Sequence, residues 1–275
     1  MGTTKHTIIK LEYTLLFMLL MPFQVLAIPF SSDIGISGSV VYDSTNSTAT
    51  GTTQSGSITS VIGESISSNT INGATITGSN TLSGTLTDLG DGFGSSFIMS
   101  GDQNGDKGRL ISDSFFNIVN NSATDQYQVS FAIDFLNLAD ADGTDSFADS
   151  QLTVQNDLTL AELFFTDLFS DSLFGDKENG TNLGSFGASL SDSGTVMLDF
   201  LINPLASVDF STFSDLRGEI FDATSSFSGE ITSFISISDV TNLTNPEPVG
   251  VPAPATLLLM LTGLIGMVTF RRKLS

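Results

Sequence analysis

Tyr127-Gln128-Val129-Ser130-Phe131-Ala132-Ile133-Asp134-Phe135 is the stretch whose reading decides the fold. Tyr127, Val129, Phe131, Ile133 and Phe135 share one parity, and Gln128, Ser130 and Asp134 share the other, with small Ala132 between them. Side chains alternate across a strand, so this spacing predicts a β-strand with one face on a core and one in water. That half-solvated pattern belongs to antiparallel rather than parallel sheets. Working outward, Phe115-Phe116-Asn117-Ile118-Val119 reads as the preceding strand, and Asn120-Asn121-Ser122 as the turn after it. Thr195 to Leu201 and Ile231 to Ile237 read as further strands, separated by loops rich in Asp, Gly and Ser. The segment Thr159 to Phe169 is open to two readings. Thr159 and Glu162 have capping-box spacing for a helix, whereas the load of Phe164, Phe165 and Phe169 suits a buried strand, the reading preferred here.

Ser37 to Asp88 is a different kind of sequence, rich in Ser, Thr, Gly and Asn, with isolated aliphatics at Ile58, Ile62, Ile66, Ile71, Ile76, Leu82 and Leu86. The near-regular spacing fits a shallow β-solenoid. It also fits a run of short antiparallel strands, which is preferred because Ile71-Asn72-Gly73-Ala74 and Asn80-Thr81-Leu82 look like hairpin punctuation. The expected architecture is all-β, an antiparallel β-sandwich or jelly-roll-like passenger domain over residues 28–240, with a Pro/Asn/Gly linker at 241–250.

The two ends read as export signals. Residues 1–27 carry Lys5 and Lys10, an apolar run through Leu15 to Met21, and Val25-Leu26-Ala27 as a small-residue cleavage site at Ala27. This implies the Sec export machinery as a partner. At the other end Val251-Pro252-Ala253-Pro254 leads into sixteen almost wholly apolar residues, 255–270, and then Arg271-Arg272-Lys273. A helix of that length is roughly 24 Å long, short of a ~30 Å hydrocarbon core, so it crosses a membrane with little to spare. The basic cluster should stay cytoplasmic, which places everything before Pro252 on the far side. Residues 251–275 resemble the PEP-CTERM sorting signal of Gram-negative bacteria: a short Val-Pro-Glu-Pro-like motif, a hydrophobic helix and a terminal Arg-rich cluster. Ala253 stands where that family usually carries Glu. The resemblance implies export, transient residence in the inner membrane, handling by an exosortase, and release to the cell surface or extracellular matrix. A permanent C-terminal anchor for an envelope binding protein is the alternative.

Composition bounds the passenger. Of nine Lys and Arg, five lie in the two end signals, leaving Lys107, Arg109, Lys177 and Arg217; of thirty acids only Glu12 lies in a signal. Twenty-nine acids against four bases give residues 28–250, passenger and linker together, a formal charge of −25. Such a surface repels phosphate backbones, so nucleic acid is excluded as a partner class. There is no Cys and no Trp, and the one His, His6, falls within the signal peptide. Ser-His-Asp, Cys-His and His- or Cys-ligated zinc chemistry are therefore excluded from the mature chain. The 22 Phe, most in the second half of the passenger, require a real core.

Gly90-Asp91-Gly92-Phe93-Gly94-Ser95 has the wrong spacing for a phosphate loop and reads as a turn. Asp102, Asn104 and Asp106 alternate with EF-hand rhythm, and Asp113 stands at the twelfth position, so these four are the candidate Ca²⁺ ligands. Lys107 occupies the sixth position, where that motif needs Gly, and solvated acidic loops are the competing reading. Three functions fit: an exported, non-enzymatic surface or matrix protein; a carbohydrate-active enzyme using a carboxylate pair; and an anchored binding protein. The hydroxyl-rich first third suits contact with an exopolysaccharide matrix, and the first reading is preferred.

Overall fold

The strand expected over Tyr127–Phe135 continues to Asp142 and lies one strand in from the edge of one sheet of a two-sheet sandwich. The structure, a computed structural model, describes residues 30–245. Among these residues there are sixteen strands and no helix, hence no helix able to cross a membrane. In chain order they are β1 (Ile34–Tyr42), β2 (Thr48–Thr50), β3 (Thr53–Ile62), β4 (Ser65–Asn72), β5 (Thr75–Ile76), β6 (Thr81–Leu86), β7 (Gly92–Gly101) and β8 (Lys107–Asn120). Then come β9 (Tyr127–Asp142), β10 (Ser146–Asn156), β11 (Glu162–Asp171), β12 (Lys177–Glu178), β13 (Thr181–Asn182), β14 (Leu190–Ile202), β15 (Ser207–Ile220) and β16 (Ser226–Asn242).

A nine-stranded sheet runs β13-β12-β11-β10-β15-β8-β1-β6, with β2 added on β8; a seven-stranded sheet runs β14-β9-β16-β7-β3-β4-β5. Every pairing is antiparallel, as the half-solvated alternation of β9 requires. From β5 to β10, and again from β13 to β16, each connection passes to the other sheet. Asn120 illustrates how such a crossing is fixed. Its Nδ2 donates to the carbonyls of Asp125, Ile202 and Asn203, and its Oδ1 accepts the Ser122 N–H.

The core lies between the sheets and is aromatic at its centre. Phe116 and Phe210 from one sheet stack at 4.7 Å between centroids, and Phe131 of the other meets them edge-on at 5.5 and 5.0 Å. Phe93 and Phe200 extend the cluster at 5.9 and 4.9 Å. Along β9 the inward residues then shrink from Phe135 through Asn137 to Ala139 and Ala141. The sheets draw together at that end, where a side chain at Gly218 would strike the Phe227 ring and one at Gly229 the Leu216 side chain.

Ser37 to Asp88 forms antiparallel strands, as preferred over a solenoid, with Gly73 (φ 61°) and Ala74 turning β4 into β5. Asn80-Thr81-Leu82 marks not a hairpin but a passage between sheets, since β5 and β6 belong to different ones. Thr159 to Phe169 is strand from Glu162 onward, with Phe164 inward on Phe135. Gly90 turns the chain, but Gly92 and Gly94 are already in β7, where a side chain would collide with the carbonyls of Ile235 and Ser233. The last strand ends at Asn242, two residues into the stretch read as linker. The signal peptide with Ala27, the motif Val251–Pro254, the 255–270 helix and the Arg271–Lys273 cluster lie outside the described residues.

Candidate functional site

Four expected Ca²⁺ ligands are divided by the structure. Asp102 and Asp106 line one depression of about 290 Å³ with Gly51, Thr53, Ser100, Gly101, Ser226 and Phe227. Asp106 is buried, and its Oδ2 accepts the N–H groups of Asp102 (3.1 Å) and Gln103 (3.0 Å), so it ties its own loop together. Asn104 is exposed at the loop tip. Asp113 is six positions along β8 from Lys107, roughly 20 Å away, because the segment that should curl back is a strand. Among the described residues no three acidic side chains converge as a metal cage.

Asp113 instead belongs to the outer face of the nine-stranded sheet, which carries every cation of the described passenger. Inward residues of β8 are even-numbered, so Lys107, Arg109, Asp113, Phe115 and Asn117 point outward. On neighbouring β15 the outward residues are Asp209, Ser211, Phe213, Asp215, Arg217 and Glu219. Arg109 and Arg217 stand directly opposite each other, a repulsive placement unless each finds an anion. Arg109 donates through Nε and Nη2 to the two carboxylate oxygens of Asp215 at 2.9 and 2.6 Å. That hydrogen bonding outweighs the opposing effect of burial and holds the Arg109 pKa above its usual value. Arg217 donates to Oδ2 of Asp149, its cross-strand neighbour on β10, at 2.8 and 2.5 Å. Asp149 Oδ1 is buried without a partner. Burial, reinforced by Asp167 on β11, pushes the Asp149 carboxyl up to about 7 in spite of Arg217. Lys177 lies 5.6 Å from the centre of the Phe169 ring, and Phe169, Phe147 and Phe221 line up beside it.

Some eight residues along the strands, roughly 26 Å away, the same face is free of Lys and Arg and is hollow. Phe115 is the centre of this half. In register it faces Ser211 on one side and Ser39 on the other, with Ser83 beyond. Its small neighbours leave the ring 46 % exposed and leave hollows on both flanks. One hollow, of about 550 Å³, is lined by Ser37, Gly38, Ser39, Ser83, Gly84, Phe115, Phe116, Asn117, Asp157 and Asp209. The other, of about 310 Å³, is lined by Asp113, Phe115, Thr153, Gln155, Ser211, Thr212 and Phe213. They share Phe115 and form one groove across β10, β15, β8, β1 and β6. The rim is fixed by hydrogen bonds: Asn117 Nδ2 to Asp209 Oδ1 at 2.5 Å, Ser211 Oγ to Asp157 Oδ1 at 2.5 Å, and Asp157 N–H to the Asp209 carbonyl at 3.1 Å. Burial, with Asp43 adding repulsion, raises the Asp113 pKa.

Of this groove the sequence singled out only Asp113, and for another purpose. A signal for the rest was present in Phe115-Phe116: two consecutive phenylalanines in a strand cannot both face the core, so one must be presented outward.

No known protein family matches the chain, and no curated protein matches it. Six chains of solved structures do, and those described here are remote. One, described as the structure of infectious bursal disease virus Gt strain, is 9 % identical, with 82 % of this chain and 69 % of that chain covered and a TM-score of 0.15. A second, the infectious bursal disease virus VP2 subviral particle, is 9 % identical over 80 % and 67 % with a TM-score of 0.14. Overlap at that level carries no argument about this chain.

Proposed function

We propose that the chain is an exported, non-enzymatic protein of a Gram-negative cell surface or extracellular matrix, delivered by a PEP-CTERM-like tail and in contact with exopolysaccharide. The observation that supports this reading is where the described sandwich starts and stops. Tyr127 Oη binds Ser31 Oγ and Asp33 Oδ2, each at 3.1 Å, and accepts from Asn242 Nδ2 at 3.2 Å; Asn245 Nδ2 reaches Asp125 Oδ1 at 3.2 Å. Both ends of the sandwich therefore sit at one pole, beside Asn120 and Asn121, so the chain enters and leaves the sandwich at the same end. We further read the alternation between sheets as a jelly-roll-like winding.

The geometry favours binding over turnover. A carboxylate-pair glycosidase needs a raised-pKa acid within about 5–9.5 Å of its partner, at the sugar. The carboxyl raised to about 7, Asp149, is nearly buried, held by Arg217, and lies outside the groove. Within the groove the raised carboxyl is Asp113, and Asp209, four positions along the neighbouring strand, is roughly 14 Å from it.

Deleting residues 251–275 in the host should leave the passenger in the wrong compartment, and the intact mass of the mature protein should lack residues 1–27 and the Arg271-Arg272-Lys273 end. A mature surface form that retains the apolar tail would establish the permanent-anchor reading instead.

A further inference from the structure

The groove around Phe115 also has a chemistry that selects among polymers. We propose that it is a binding site for a neutral polysaccharide, with Phe115 as the stacking platform and Asn117, Gln155, Asp113, Asp157 and Asp209 as hydroxyl partners. This deepens the reading of a matrix protein and rests on it for the source of the ligand. Three features carry it.

The first is the ring itself. A large, flat apolar side chain left 46 % exposed among serines and glycines suits the apolar face of a pyranose. The second is the surrounding inventory. Carboxylates accept from hydroxyl groups and the amides of Asn117 and Gln155 both accept and donate, so the lining satisfies the alternating hydroxyls of a sugar. The third is charge and length. Three aspartates line the groove and no Lys or Arg does, which repels a uronate or sulfated chain. Together the two hollows, with the Phe115 ring between them, cross five strands, roughly 19 Å at the usual inter-strand spacing. They therefore accept several units of an extended chain. Both hollows have volumes in the range of small-ligand sites.

The test is titration of the detergent-solubilised full chain with oligomers from a panel of neutral hexose polymers of different linkage, and with a polyuronate. At least one neutral oligomer should bind, with an affinity unchanged between low and high salt, and the polyuronate should not. Phe115→Ala and Asn117→Ala, which keep the net charge, should each weaken binding by roughly tenfold at unchanged melting temperature. No binding across the neutral panel, wild-type affinity in both variants, or preferential binding of the polyuronate would each overturn the assignment. Loss of binding in a protein that still reaches the surface defeats the glycan site alone; binding by a protein that never leaves the cytoplasm defeats the export reading alone.

Discussion

The hydroxyl-rich strands β3 to β6 and the phenylalanine-bearing strands β8, β9 and β15 share one sandwich but are held in it by different means. Phe116, Phe131 and Phe210 are fully enclosed and touch one another across the gap between sheets. In β4, by contrast, Ile71 alone is buried and Ile66 is 73 % exposed; β5, the edge beyond it, is two residues long. A polar clasp helps to fix this thinner flank. Buried Asp91 accepts N–H groups from Gly63 at 2.6 Å, Thr87 at 2.8 Å and Asp88 at 3.0 Å, tying the β3–β4 turn to the chain before β7. The aromatic strands bury large rings, whereas the flank buries single aliphatics, Ile58, Ile71 and Leu86, and adds the Asp91 clasp, and a short edge protects it from adding foreign strands.

The contrast breaks first at Phe116. Phe116→Ala opens a cavity among three rings, Phe93, Phe131 and Phe210, and should cost about 3–5 kcal/mol, read from the denaturant midpoint at unchanged slope; a loss below about 1 kcal/mol would show that the aromatic cluster does not anchor the fold. The charged face gives the next effect. Because the folded-state pKa of Asp149 is raised to about 7, the native state holds a proton that the unfolded chain has released above about pH 4. Its contribution is therefore fully present below that value and is lost as pH rises toward 7. Asp149→Asn should flatten this fall, by between about 1 and 4 kcal/mol across the window. Arg217, Asp167, Asp215, Arg109 and Lys177 surround the site, so the comparison is made variant against wild type at each pH. Identical slopes would mean that Asp149 is ionised throughout.

Smaller again is the loop at Asp106. Asp106→Ala leaves the Asp102 and Gln103 N–H groups without their acceptor and should cost about 1–3 kcal/mol, equally with Ca²⁺ and with chelator. A Ca²⁺-dependent rise in melting temperature in the wild type, absent from the variant, would restore the metal reading. The smallest effect is at Ile66: Ile66→Ser should change stability by less than about 0.5 kcal/mol, and a larger loss would mean that β4 is covered by something in solution.

Much of this was legible in the residues. Alternation alone gave β9, β14 and β16, because a sandwich strand meets a core on one side only. Pairing was not legible. β8 and β9 follow each other in sequence yet lie in different sheets, and their true neighbours, β15 and β16, come nearly a hundred residues later. No local pattern encodes a partner that distant. The groove escaped for the same reason, since Phe115, Ser39, Gln155 and Asp209 meet only through register. Asp102, Asn104 and Asp106 had the right rhythm for a metal loop, but Lys107 begins a fourteen-residue strand that carries Asp113 away.

β16 has a mechanical consequence. It is the strand from which the tail departs, and it runs between β9 and β7, bonded to both. Antiparallel hydrogen bonds lie across the strand direction, so a pull along β16 from Asn245 loads its sixteen residue pairs with β9 and its ten with β7 in shear rather than peeling them one at a time. A tether fastened there transmits force into the centre of a sheet. Under the proposed tethering, drag on the outer face becomes tension along β16.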